Sequence, residues 1–153
     1  MTNICNSDNI LVQLYKIHEE KMKVIIDTSS IIAVITNERH KNQLVSITSG
    51  ADLIAPSSIH WEVGNAFSAM LRRQRISLEK ANAALEAYED IPIQFYEVDL
   101  NSTLKLCDAH NLYAYDAYVI ECAIKFKAPI LTLDASLAAT AHKAGVNVLE
   151  IPL

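Results

Sequence analysis

The stretch KVIIDTSSIIAVI, residues 23–35, decides the fold class. Val24, Ile25 and Ile26, apolar and β-branched, run without a polar interruption into Asp27, as in a strand covered on both faces. Thr28, Ser29 and Ser30 then supply hydroxyls suited to a helix start, and Ile31 to Ile35 continue as its apolar body. The order strand, turn, helix recurs along the chain. Leu53 to Ala55 is a short apolar run stopped by Pro56, after which Ser57 or Ser58 can cap a helix reaching about Arg73. Ser77 opens another helix, Ile93 to Val98 reads as a strand, and residues 101–110 and 114–127 have helical spacing. ILTL at 130–133 is a strand ending at Asp134, residues 135–144 return to helix, and Val146 to Leu149 reads as a last strand after Gly145. Short apolar strands alternating with helices specify an α/β fold, a parallel β-sheet flanked by helices on both faces.

Composition sets the outer limits. The 153 residues, 51% hydrophobic with 3 Gly and 4 Pro, suffice for one well-buried core and exclude collagen-like and disordered classes. Cys5, Cys107 and Cys122 form no CxxC pair, so neither a disulfide framework nor a cysteine zinc cluster is expected, and a reducing, cytoplasmic setting is. No signal peptide and no membrane-spanning window are read. Residues 1–21 form a separate N-terminal extension, with Ile10, Leu11, Leu14 and Ile17 spaced for one amphipathic helix. The domain proper is expected over 22–153, and translation could begin at Met22, immediately before the first strand.

Ligands of open parallel sheets bind beyond the carboxyl ends of the strands, which makes Asp27 and Asp134 candidates, although each could serve only as a helix N-cap. Two further acids occupy the wrong faces of their helices. At 100° per residue Asp116 shares the stripe of Val119, Ile120, Ala123, Ile124 and Phe126, within about 80° to either side. Glu62 lies at the edge of the arc made by Ile59, Val63, Ala66, Phe67 and Met70. A buried carboxylate needs a partner, and the sequence supplies no well-placed base, since Arg72, Arg73, Arg75 and Lys125 lie at helix ends or on polar faces. Four carboxylates at one sheet edge would make an all-oxygen site suited to Mg²⁺ or Mn²⁺, one or two ions; a structural ion-pair cluster is the alternative.

The formal net charge of −5 argues against non-specific attraction to phosphate backbones. Setting the four acids aside leaves 14 acidic against 13 basic residues, a nearly neutral remainder, so a phosphate-bearing substrate is not excluded once cations occupy the site.

At this point the pattern resembles PIN-domain nucleases, in particular the VapC-like toxins of type II toxin–antitoxin pairs. The resemblance covers residues 22–153 and rests on VIIDTSSIIA, on PSSIHWEVGNAF with Glu62 and Asn65, on YAYDAYVIECA with Asp116, and on LTLDASL with Thr132 and Asp134. It implies a PIN-like parallel sheet and a Mg²⁺- or Mn²⁺-dependent endoribonuclease, with Asp27, Glu62, Asp116 and Asp134 as catalytic and metal-binding acids. Thr28, Ser29, Asn65 and Thr132 would support them. It also implies an RNA substrate, a small cognate antitoxin and a homodimer. A catalytically silent RNA- or protein-binding scaffold and a housekeeping RNA-processing nuclease are the alternatives; all four acids being present speaks against the first. The extension at 1–21 and the sparse basic clusters, Arg39 to Lys41 and Arg72 to Arg75, depart from the pattern.

The remaining polar and aromatic residues read as structural. The histidines have no shared metal spacing, and Tyr113, Tyr115 and Tyr118, which surround Asp116, fit rim packing better than base stacking.

Overall fold

In the computed structural model, which describes residues 21–151, the first strand is the middle of a parallel sheet. β1 (Lys23–Ile26) is flanked by β2 (Asp52–Pro56) on one side and β4 (Ile130–Leu131) on the other, with β3 (Ile93–Tyr96) beyond β2. The register pairs Ile25 with Ile54 and Ile26 with Leu131. The expected N-terminal helix falls within residues 1–20, outside the described residues.

The alternation of a strand explains the two cores. Val24 and Ile26 face one side and pack with α1 (Thr28–Ile35), α2 (Lys41–Ile47), α3 (Ile59–Arg72) and α4 (Leu78–Glu89). Ile25 and Ile54 face the other and pack with α6 (Ala114–Phe126) and α7 (Ala135–Lys143), flanked by α5 (Leu100–His110). Both faces are therefore covered, as a parallel sheet of continuous apolar strands requires. This confirms the expected α/β class.

Three local readings change. α2 was not legible, because its single buried residue, Leu44, gives no periodic stripe. The ILTL run yields only a two-residue β4, because the Thr132 hydroxyl and the Leu133 N–H turn away from the ladder to Asp27 and Ser29. The expected strand at 146–149 is one parallel bridge from Val148 to Ile130, held by Ile130 N–H to Asn147 O and Leu149 N–H to Ile130 O. It follows α7 through Gly145, whose φ of 77° is the left-handed value that glycine adopts without strain.

The chain leaves β1 toward β2 on one side while β4 adds on the other, so the crevice between the carboxyl ends of β1 and β4 is a topological switch point. Asp27 stands at its mouth.

Candidate active site

Asp27 caps α1 with a side chain only 7% exposed. Its Oδ2 accepts from the Ser29 N–H (3.1 Å), from the Ser29 hydroxyl and from the Thr132 hydroxyl (2.8 Å). All the hydrogen bonds to this carboxylate among the described residues go to Oδ2, leaving Oδ1 to other partners. The Thr132 hydroxyl in turn accepts from the Asp134 N–H (3.0 Å), and the Ser29 Oγ accepts from the Leu133 N–H (2.9 Å). These bonds lock the end of β1 to the end of β4. Ser30 adds a buried bond from its hydroxyl to Leu131 O (3.0 Å).

Asp134 is exposed and caps α7 through Oδ1, which accepts from Ser136 N–H (2.7 Å) and Leu137 N–H (3.1 Å). Both strand-end aspartates are thus helix caps, and capping occupies one oxygen of each. The capping and ligand readings do not exclude each other.

Glu62, on the first turn of α3, receives the Thr28 hydroxyl on Oε2 (2.8 Å) and the Ser58 hydroxyl on Oε1 (3.0 Å). Burial pushes its carboxyl above the usual range; the two hydroxyls oppose this, and the negative fields of Asp27 and Asp116 add to it. Asp116, on the first turn of α6 and half-buried, is also raised, first by burial and then by Asp134 and Asp27. Asp27 and Asp116 are thus near enough to act on Glu62, and Asp27 and Asp134 near enough to act on Asp116, which sets the four sequence candidates around one opening. The helical stripe assigned to Asp116 was partly misread, since Ile124 is exposed and the buried face centres on Ala117, Val119, Ile120 and Ala123.

Of the supporting residues, Thr28, Ser29 and Thr132 hold the acids directly. Asn65 is exposed on α3 and hydrogen-bonds to none of them. Ser58 is the one that sequence reasoning took only for a cap. It makes no capping bond and instead holds Glu62 four residues on, a spacing that places both on one helix face. His60 is structural as expected, stacked on Phe95 at 4.7 Å and bonded through Nδ1 to Tyr88 Oη at 2.9 Å.

The donor set is entirely oxygen. The salt bridge found among the described residues joins Lys21 to Asp52 at 3.9 Å, at the amino end of the sheet and so across it from these acids, and no lysine or arginine among the described residues pairs with the four. That fits a hard divalent cation. Among the described residues, however, no group of three or more His, Cys, Asp and Glu stands close enough to grip one ion as the side chains lie. The free oxygens of Asp27 and Asp134, and an Asp116 with no recorded hydrogen bond, are the groups able to adjust.

No helix among the described residues is long and apolar enough to cross a membrane. A comparison with curated proteins returned no match. Among solved structures, the chain is similar to PAE2754 from Pyrobaculum aerophilum, with 21% identity, TM-score 0.64, and coverage of 78% of this chain and 86% of that one. It is similar to Mycobacterium tuberculosis VapC20, described as a sarcin–ricin-loop-cleaving toxin, with 13% identity, TM-score 0.59, and coverage of 83% and 98%. It is also similar to VapBC2 from Rickettsia felis, solved bound to a DNA fragment from its promoter, with 11% identity, TM-score 0.60, and coverage of 84% and 98%. At these identities the likeness is one of fold. The family profile described as PIN domain matches residues 24–148, from the first buried residue of β1 to the bridge beside β4, and with that span the chain belongs to the PIN domain family.

Proposed function

We propose that this protein is a Mg²⁺- or Mn²⁺-dependent endoribonuclease and the toxin of a toxin–antitoxin pair. The observation that carries the reading is the set of four carboxylates at the switch point, where the charge of Asp27, Asp116 and Asp134 adds to burial in holding the Glu62 and Asp116 carboxyls above their usual range and no basic side chain among the described residues pairs with them. The likeness to VapC20 and VapBC2 supports the toxin assignment, a small cognate antitoxin as partner and RNA as substrate. A homodimer and a cytoplasmic location belong to the same reading.

Asp27, Asp116 and Asp134 would hold one or two divalent ions, with Glu62 as a further ligand or as partner of the attacking water. A bound ion would supply Lewis acidity at the phosphate and cancel the charge of the acids. The chain's own residues do the positioning. Ser29 and Thr132 fix Asp27 by one oxygen and leave the other for the site. Thr28 and Ser58 orient Glu62, whose raised carboxyl is the stronger base toward a water in line with a backbone phosphorus. No protein nucleophile is required.

The test is incubation of total cellular RNA with purified protein in Mg²⁺ or Mn²⁺, beside EDTA and Asp116→Asn. Discrete fragments lost in both controls are expected. Fragments that persist in EDTA and in the variant would overturn the reading.

A further inference from the structure

Beside the acidic site lies a groove of about 370 Å³ that the cleavage chemistry leaves unused. Its walls are Ser57 and Trp61 at the start of α3, Tyr96 and Glu97 at the end of β3, and Tyr115 and Tyr118 on α6. It adjoins the acids through Ser58 and through the chain itself. Trp61 and Tyr115 immediately precede Glu62 and Asp116, and Ser58, which donates to Glu62, also lines the groove.

Its chemistry is selective. Trp61 is 71% exposed, an unusual amount of aromatic surface left in water, and Tyr115 and Tyr118 meet edge to face at 5.9 Å and 88°. No lysine or arginine is among the lining residues, so the groove offers little to a phosphate and much to the face of a planar ring. Its one charged wall is Glu97. The Ser57 hydroxyl donates to Glu97 Oε1 at 2.5 Å, and the Ser57 N–H is tied to Tyr96 O at 3.0 Å, which fixes the carboxylate at the rim.

An ionised carboxylate only accepts hydrogen bonds. Guanine is the base whose Watson–Crick edge presents two adjacent donors, N1–H and the 2-amino group. Adenine and cytosine set one amino group beside a ring acceptor that a carboxylate repels, and uracil flanks its single N–H with carbonyls. We propose that this groove receives an unpaired guanine of the RNA substrate, its face on Trp61 and its Watson–Crick edge on the Glu97 carboxylate. The proposal rests on the ribonuclease reading and adds base selection to it. Single-stranded RNA is the form whose bases are free to stack and to present that edge.

Trp61 is the sole tryptophan of the chain, so its emission reports stacking directly. The experiment titrates Asp116→Asn protein, in Mg²⁺, with 5′-fluorescein single-stranded RNA hexamers of uridine carrying G, A, C or U at one central position. Quenching of Trp61 and anisotropy of the label are followed together. The guanine hexamer is expected to quench Trp61 and to bind about tenfold more tightly than the others, the discrimination of one good bidentate contact. Glu97→Gln in the same background should level the four hexamers. Trp61→Ala should weaken all of them by about tenfold, the loss of one stacked base, with Trp61→Phe recovering most of it. Equal binding of the four hexamers would overturn the proposal, as would bound RNA with unchanged Trp61 emission, which leaves the groove to a protein partner. If wild-type protein still cuts total RNA in a metal-dependent way, the ribonuclease reading survives that result; if nothing is cut or bound, both fall.

Discussion

Helix α6 carries two acids five residues apart, and their surroundings separate a site from a buried charge. Asp116, on its first turn, is half-exposed and shares the switch point with Asp27, Glu62 and Asp134. Glu121, more than one turn further, is 6% exposed, and its Oε2 has no hydrogen-bond partner among the described residues. Both carboxyls are raised, first by burial. For Asp116 the next causes are two other acids of the cluster, whereas Glu121 has Asp99 on one side and an opposing Lys125 on the other. Two of the neighbours of Asp116 at the switch point, Asp27 and Glu62, are held by hydroxyl donors from Thr28, Ser29, Ser58 and Thr132; Glu121 has none of these. Burial alone therefore does not mark a functional acid. Convergence of several acids on one opening, with donors that fix the orientation of two of them, is the criterion on which the proposed site rests.

The comparison breaks most visibly if activity does not follow convergence. Asp27→Asn keeps the shape and a capping oxygen but removes the charge at the centre of the cluster, and RNA cleavage should fall at least about a hundredfold. An unchanged circular dichroism spectrum would show that the fold is kept. Thr132→Val comes next. It removes the donor to Asp27 Oδ2 and the acceptor of the Asp134 N–H, so cleavage should drop about 10- to 100-fold and stability by about 1–3 kcal/mol. Thr132→Ser, which keeps the hydroxyl, should recover most of the activity.

How far the site was legible follows from which signal each residue left. Asp27 and Asp134 were readable because a strand run ends at each, and Asp116 and Glu62 because an acid on an apolar helix arc is anomalous. Thr132 was known only through the family resemblance, because its role depends on a hydrogen bond to a residue 105 positions away. Ser58 was misread because local chemistry suggested a cap, while the folded helix offered it a better acceptor in Glu62. The sheet was legible from its uninterrupted Val and Ile runs. The one-residue bridge at Val148 and helix α2 were not, since one is set by an edge partner and the other buries a single residue. Glu121 also fell outside the sequence reading, although it sits between the buried residues Ile120 and Cys122.

Glu121 sharpens the comparison from the other side. A carboxyl raised in the folded state favours the protonated form there. Its contribution to stability is present below the unfolded value near 4.5 and is lost as pH rises through the higher folded value. Glu121→Gln stays neutral throughout, so at pH 8 it should gain about 1 kcal/mol, a rise in Tm of about 2–4 °C, and the gain should vanish toward pH 4. Cleavage should not change, because Glu121 lies outside the acidic cluster. Loss of cleavage in this folded variant would mean that convergence is the wrong criterion.

The smallest expected effect belongs to Asn65, which the family pattern places with the supporting residues and the structure leaves exposed, one turn beyond Glu62 and with no hydrogen bond to the acids. If orientation by direct hydrogen bonds is what the site needs, Asn65→Ala should change both stability and cleavage by no more than about twofold, as for an ordinary surface position. Thr28→Val provides the contrast. It removes the hydroxyl on Glu62 Oε2, which holds that carboxyl down against burial, so the rising limb of the cleavage pH profile should move to higher pH. Asn65→Ala should leave the limb in place. A shift in the Asn65 variant equal to that in the Thr28 variant would show that Asn65 turns toward Glu62 when RNA is bound, and that contacts made only with substrate, beyond those of the free protein, define the site.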